Sequence, residues 1–356
     1  MPGTAPTEGP LTAEELQLAT RNRGMPLEAL RYDVTPVGLH YLLVHFDIPA
    51  LDPTAWRLAV EGLVARPRQL SLAELLTMPA RTLTVTMECA GNGRARLQPR
   101  PISQPWLVEA IGTAEWTGVP LSDVLAEAHP RTDAIEAVFT GADHGRQGDV
   151  EQDYARSLML ADASRPEVLL AYAMNGRPLE PQHGAPVRLL VPGWYGMTSV
   201  KWLTSIRLVA APFAGYQQAT AYRYQRDEDD AGEATTRIRV RALMIPPGYP
   251  DFLTRRRYVA AGPVELRGRA WSGEAAIERV ELGIDGAWAE ALLEAPAGEF
   301  AWRGWRAAWD AMAGDHVLAV RATDAAGNAQ PLEQPWNYQG MGNNLVQTVE
   351  VTVTSE

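Results

Sequence analysis

The sequence predicts an α+β domain followed by a smaller β-sandwich domain. Three observations predict it. In the first two thirds, alternating β-branched segments mix with short helical patterns, without the regular strand–helix–strand rhythm of a doubly wound sheet. At 226–236 the run RDEDDAGEATT is acidic, poor in apolar residues and broken by glycine, as linkers between domains are. Beyond it, alternating segments ending in Gly, Asp or Asn turns recur roughly every dozen residues, with almost no helical pattern. The expected division is an N-terminal tail over 1–25, a first domain over 26–230 and a second over 236–356.

In order along the chain, residues 1–10 are rich in Pro, Gly and Thr and are expected to be disordered. TAEELQLATR opens with a capping box, Thr12 to Glu15, and reads as a helix; SLAELLTM opens with another, Ser71 to Glu74. YLLVHFDIP and WRLAVEG read as strands. TLTVTME is alternating and β-branched, a strand that delivers Cys89 at its C-terminal end. PLSDVLAEA reads as a helix with Ser122 as N-cap. AIEAVFTGAD, VLLAYAMNG, PVRLLVPG and SVKWLTSIRLV read as mostly extended. In the second domain VELRGRAWSG, IERVELGIDG and HVLAVRATDAAGNAQP are strands, with Trp271 and Trp288 expected in the core. QPWNYQGMGNN, residues 334–344, is irregular and is expected to pack on the first domain.

Composition narrows the functions. The chain has 356 residues, 46% hydrophobic and 21% charged, enough for one large and one smaller core. No run approaches ~20 apolar residues, so no membrane span is expected. A net charge of -11 argues against a nucleic-acid partner. The start carries no basic region or apolar run of a secretory signal, so the expected location is cytoplasmic, or periplasmic if a leader was removed.

The one cysteine, Cys89, precedes Ala-Gly-Asn-Gly and then Arg94, Arg96 and Arg100. A lone cysteine is most often a small buried hydrophobe. Two glycines in three residues, however, let backbone approach a ligand closely. Cationic neighbours would lower a thiol pKa, and a basic cluster in an acidic protein suggests a small anionic ligand. The six histidines form no cysteine-hydrolase signature, and one cysteine without a clustered His pair cannot build a zinc site. A single thiolate can still bind a soft metal whose other ligands come from elsewhere.

CAGNGR at Cys89, DHG at 143–145, QHGAPVRLLVPGWYGMTSVKW at 182–202 and QPWNYQG at 334–340 together resemble the sulfite oxidase family of molybdenum enzymes. The likeness runs in family order from about residue 25 to 353. It implies a molybdopterin-binding α+β domain followed by an immunoglobulin-like dimerisation domain, hence a homodimer. It implies a molybdenum-molybdopterin cofactor with Cys89 as the metal's protein ligand. The cofactor-contacting positions of the family fall on Tyr41, Leu42, Leu43, Val44, His45, Asp143, His183, Arg188, Ser199, Val200 and Lys201. The catalytic positions fall on Cys89, Arg94 and Tyr222, with Tyr224 one strand-step away. Taken singly, each histidine or charge reads more readily as a packed or surface residue; together, in family order, they point to the cofactor.

Two family arginines are not matched. Leu43 stands at one place, and the second domain has Glu299 near the other. Each lost charge-assisted bond is worth about 1.5–3 kcal/mol toward an anion. The resemblance implies oxygen-atom transfer, with oxidation of sulfite, a small anionic substrate, as the leading expectation. The alternatives are another oxyanion, an S-oxide or an organic sulfur compound, or a molybdopterin-binding protein without turnover. One cysteine allows no CxxCH haem attachment, so the chain is read as haem-free and its electron acceptor as an external molecule.

Overall fold

Both capping boxes form. Thr12 Oγ1 accepts from the Glu15 N–H while the Glu15 carboxylate accepts from the Thr12 N–H, starting the helix Ala13–Arg21. Ser71 and Glu74 do the same for Leu72–Thr77. The computed structural model describes residues 6–355. Residues 1–5 of the expected disordered tail lie outside that range. Residues 6–25 are not a tail: Thr7 and Arg100 exchange backbone hydrogen bonds at 2.9 and 2.7 Å, and Glu15 and Met25 are fully buried.

Two five-stranded sheets build the first domain. One has the order Arg68–Ser71, Arg57–Gly62, Leu203–Val209, Glu136–Gln147, Val150–Met159. The other runs Arg81–Glu88, Ile111–Pro120, Leu169–Met174, Arg177–Pro178, with Arg188–Leu190 also paired to Leu169–Met174. Leu58, Val60, Phe139 and Ile206 of the first sheet meet Leu170 and Leu189 of the second in one core. The helix Leu121–Ala128 packs there too, but its N-cap is Pro120, not Ser122, whose hydroxyl bonds Asp123 instead.

YLLVHFDIP is not a strand. Its backbone is satisfied by the N-terminal segment rather than by a sheet: Leu42 exchanges hydrogen bonds with Arg23 at 2.7 and 3.0 Å, and the Val44 N–H donates to Asn22 Oδ1 at 2.7 Å. The segment lies across the first domain as a strap, with Leu43 O accepting from Lys201 Nζ.

The acidic run at 226–236 is the loop of a short hairpin, Arg223–Tyr224 with Glu233–Ala234, rather than an open linker. After it, a four-stranded and a six-stranded sheet close over a second core that includes Trp305, Trp309, Val280 and Val351. Trp271 is not in that core. It packs at the boundary with the first domain, where its Nε1 donates to Glu88 at 2.8 Å, and Trp288 is only half-buried. Residues 334–344 fold back onto the first domain as expected: Trp336 Nε1 donates to Pro99 O, Gly342 N–H to Ala90 O, and Asn343 Nδ2 to Gly93 O.

Candidate active site

The strand Arg81–Glu88 pairs antiparallel with Ile111–Pro120 and ends by presenting Cys89, whose N–H donates to Ala110 O at 2.9 Å. The turn that follows is fixed from both domains. Asn92 donates to Glu88 and to Val108 O and accepts from the Ala110 N–H. Glu88, 1% exposed, lies 3.2 Å from buried Arg241 of the second domain. Gly93 adopts φ +89°, and a Cβ there would press on Asn343 at about 3 Å; only glycine fits both demands.

Cys89 sits where two cavities meet. A narrow slot on one side is lined by His183, Arg188, Ser199, Lys201, Asp143 and Tyr41, among others. A wider chamber of about 580 Å³ on the other side is lined by Arg94, Trp106 and Met341, among others. Leu43, His45, Cys89 and Tyr222 line both.

The slot concentrates buried positive charge without acid partners at bonding distance. Arg188 is 4% exposed; its guanidinium donates to His183 O and Ser199 O at 3.0 Å and stacks over Trp116. Lys201 Nζ donates to Leu43 O at 2.7 Å, and burial pulls its pKa down to about 7. Gly184, at φ +102°, lets that backbone cross Lys201, which a Cβ would meet at 2.9 Å. Burial, with His40, Arg188 and Lys201 nearby, lowers His183 to about 3, so its imidazole is neutral. Burial raises Asp143 to about 6 against the pull of Lys201, and its Oδ1 has no partner. Burial also lowers His45, whose Nε2 bonds Gln147 Oε1 at 2.8 Å. Ser199 Oγ accepts from the Val191 N–H.

Three expectations change. The Cys89 thiol is not depressed: burial pushes its pKa up, and Arg94 offsets this only in part. The basic cluster also divides. Arg94 is buried and faces the chamber, whereas Arg96 reaches Thr348 and Arg100 forms a buried ion pair with Glu15 at 2.8 Å. Glu299 lies elsewhere, in a separate cavity with Trp271 and Phe300; the C-terminal residues that reach the chamber are Tyr338, Gln339 and Met341.

Among the remaining positions, Leu42 lines the slot and Val44 the chamber. Val200 lines neither: its side chain is in the first core, its N–H donates to Thr198 O and its carbonyl accepts from Leu189. Tyr222 faces both cavities, while Tyr224 packs under Arg239 and against Gly342. Sequence reasoning missed Arg156, 2% exposed, with its guanidinium 5.5 Å from the centre of the Tyr222 ring and Nε unpartnered. The signal was available: Arg156 stands at an inward position between Tyr154 and Leu158 in an alternating strand.

Residues 45–217 match the family described as an oxidoreductase molybdopterin binding domain, and 233–354 match the Mo-co oxidoreductase dimerisation domain. The solved structure of the sulfane dehydrogenase SoxCD from Paracoccus pantotrophus superposes with a TM-score of 0.81 at 26% identity, covering 97% of this chain and 91% of that one. The chain belongs to the sulfite oxidase family. This sulfite oxidase family member is 33% identical to mitochondrial sulfite oxidase of Homo sapiens over 346 residues, 90% of this chain and 62% of that protein. It is 32% identical to an NADH nitrate reductase of Brassica napus, over 91% of this chain and 39% of that protein. It thus spans less than two thirds of the length of these curated relatives. The dimerisation-domain match supports the homodimer read from the sequence.

The molybdenum cofactor of the family fits these residues. Its organic part ends in phosphate, and the slot holds Arg188 and Lys201 with no carboxylate in an ion pair, a costly burial unless an anion enters. Among the described residues no group of three His, Cys, Asp or Glu could hold a bare metal ion. One sulfur at the slot's end suits a metal that brings its other ligands with it.

Proposed function

We propose that the protein is a molybdopterin-dependent oxidoreductase that transfers an oxygen atom to the lone pair of a sulfur centre, with sulfite as the reference substrate, and passes two electrons to an external acceptor. The observation that carries this reading is the unpaired Cys89 sulfur at the junction between a cationic slot and a solvent-sized chamber. When bound, the cofactor supplies a two-electron, oxygen-transferring centre. Cys89 would bind its metal. Arg188, Lys201, neutral His183, Ser199, His45 and the strap 41–44 would hold its organic part, with Asp143, itself buried in the slot wall, in ion pair with neither cation.

On the chamber side, Arg94 holds positive potential where an anionic oxygen would rest. Its Nε donates to Gln339 O at 2.9 Å, which fixes its direction before substrate arrives. Burial raises Tyr222 to about 12, so its hydroxyl stays protonated at neutral pH and is a donor, not a base. Trp106 and the strap residues Leu43 and Val44 line the chamber with the sulfur, and Cys89 is 8% exposed.

Nitrate reductases among the relatives motivate a second reading, in which the substrate is a different oxyanion. The test is steady-state turnover of molybdenum-loaded protein with sulfite and ferricyanide. Turnover that depends on molybdenum loading supports sulfur oxidation. Rates equal to those of metal-free protein, with nitrate oxidising the reduced protein, favour the second reading.

A further inference from the structure

We infer that the chamber selects a monoanionic organic sulfinate, R–SO2⁻, over the smaller and more highly charged sulfite. The inference rests on the sulfur-oxidation reading above and concerns which sulfur compound that site takes.

Charge is the first ground. Within the chamber wall, only Arg94 is a buried cation. The place where the family resemblance implied an arginine on the strap is Leu43, and the C-terminal segment contributes Met341, whose sulfur lies 3.3 Å from Arg94 Nη2. Arg146 is exposed at the wall and within 3.8 Å of Asp149, and Glu228 adds a negative charge. One buried cation balances one negative charge; a second charge on the substrate would be desolvated without compensation.

Size and surface are the second ground. A chamber of about 580 Å³ falls in the range of about 300–1,000 Å³ that accommodates organic ligands. Leu43, Phe46, Ile102, Ala221, Tyr338 and Met341 give it an apolar wall. An inorganic anion of four heavy atoms would leave that wall wet, whereas an organic group would cover it.

Chemistry is the third ground. Trp106 is 5% exposed, lines the chamber and turns its indole N–H toward the Cys89 sulfur, so Arg94 is the buried cation left to face a substrate oxygen. A sulfinate needs only that one charge partner and keeps a lone pair on sulfur as sulfite does. The reaction balances as R–SO2⁻ + H2O → R–SO3⁻ + 2 H⁺ + 2 e⁻. A sulfur–oxygen bond forms, sulfur loses two electrons, the protons go to solvent, and two one-electron acceptors such as ferricyanide take the electrons.

The test compares benzenesulfinate with sulfite in molybdenum-loaded protein, with ferricyanide as acceptor. The expected kcat/KM is about tenfold or more higher for benzenesulfinate, equivalent to about 1.4 kcal/mol. Leu43→Arg and Met341→Arg should each shift that ratio toward sulfite. In parallel, the product benzenesulfonate should raise the thermal midpoint of the loaded protein more than sulfate does. Turnover of sulfite with benzenesulfinate inert, or a ratio unchanged in both variants, overturns the inference and leaves sulfur oxidation standing. If neither compound is turned over by protein of full molybdenum content, the sulfur-oxidation reading itself fails.

Discussion

The slot and the chamber meet at one sulfur, yet their walls are built differently. The slot is cut into the first domain, between the strap, the strand Arg188–Leu190 and the turn before Leu203–Val209, and its cations bond backbone carbonyls and, for Arg188, the Met87 sulfur. The chamber takes its far wall from residues 338–341, which approach from the second domain, and holds one buried cation. Buried charge that the chain leaves unpaired marks what must be bound every time. A wall borrowed from a second domain can change without disturbing the core that holds the first. Arg94 and Arg100 make the same point six residues apart: Arg100 is neutralised by Glu15 and ties down the N-terminal segment, whereas Arg94 has only carbonyls and a thioether.

The harshest way to break the comparison is to remove what both sides share. Cys89→Ala should abolish molybdenum retention and turnover together while circular dichroism and thermal midpoint stay near those of metal-free wild type. Equal molybdenum content in metal analysis would refute the assignment of the sulfur. The next experiments separate the two sides. Arg94→Met should lower kcat/KM by about 10- to 150-fold, the worth of one charge-assisted hydrogen bond of about 1.5–3 kcal/mol, with molybdenum content unchanged.

Lys201→Met should act on the other side, weakening cofactor retention about tenfold while kcat per bound molybdenum stays within about twofold. It should also carry a pH signature in metal-free protein. The folded-state pKa is about 7 against an ordinary 10.5. Between those values the unfolded chain binds more protons, so stability rises with pH across that window and is lowest below 7. In Lys201→Met that rise should flatten, which thermal midpoints measured from pH 6 to 10 would reveal. A slope identical to wild type would place the Lys201 charge in water rather than in the slot.

Periodicity made the elements legible and left their assembly obscure. The two capping boxes and the strand ending at Cys89 follow from local chemistry, and each forms where the pattern puts it. YLLVHFDIP has the composition of a strand but not the neighbours; Asn22 and Arg23 occupy its backbone groups, and no local rule contains that. In the site, motif order brought His183, Arg188 and Lys201 together correctly because they lie within one short stretch of chain. The second-domain contribution was misplaced at Glu299, because only the returning path of residues 334–344 decides which side chain reaches Arg94. The sign of the Cys89 shift was also misjudged: sequence shows nearby arginines but not burial, and burial outweighs them.

The finest test of the boundary is a pair of tyrosines two residues apart. Tyr222 is the choice on sequence, with Tyr224 as the neighbouring register, and side chains two residues apart in an extended chain point the same way without sharing the same surroundings. Tyr222 is 7% exposed and borders both cavities beside Arg156; Tyr224 bears on Gly342 and lies under Arg239, 4.3 Å from the guanidinium carbon. Tyr222→Phe removes a neutral donor facing the reacting region and should cost about 3- to 10-fold in kcat/KM, the worth of an ordinary hydrogen bond. Tyr224→Phe should leave kcat/KM within about twofold, because its hydroxyl points into the domain junction. A larger loss from Tyr224→Phe than from Tyr222→Phe would mean that the wrong ring has been placed at the boundary between slot and chamber.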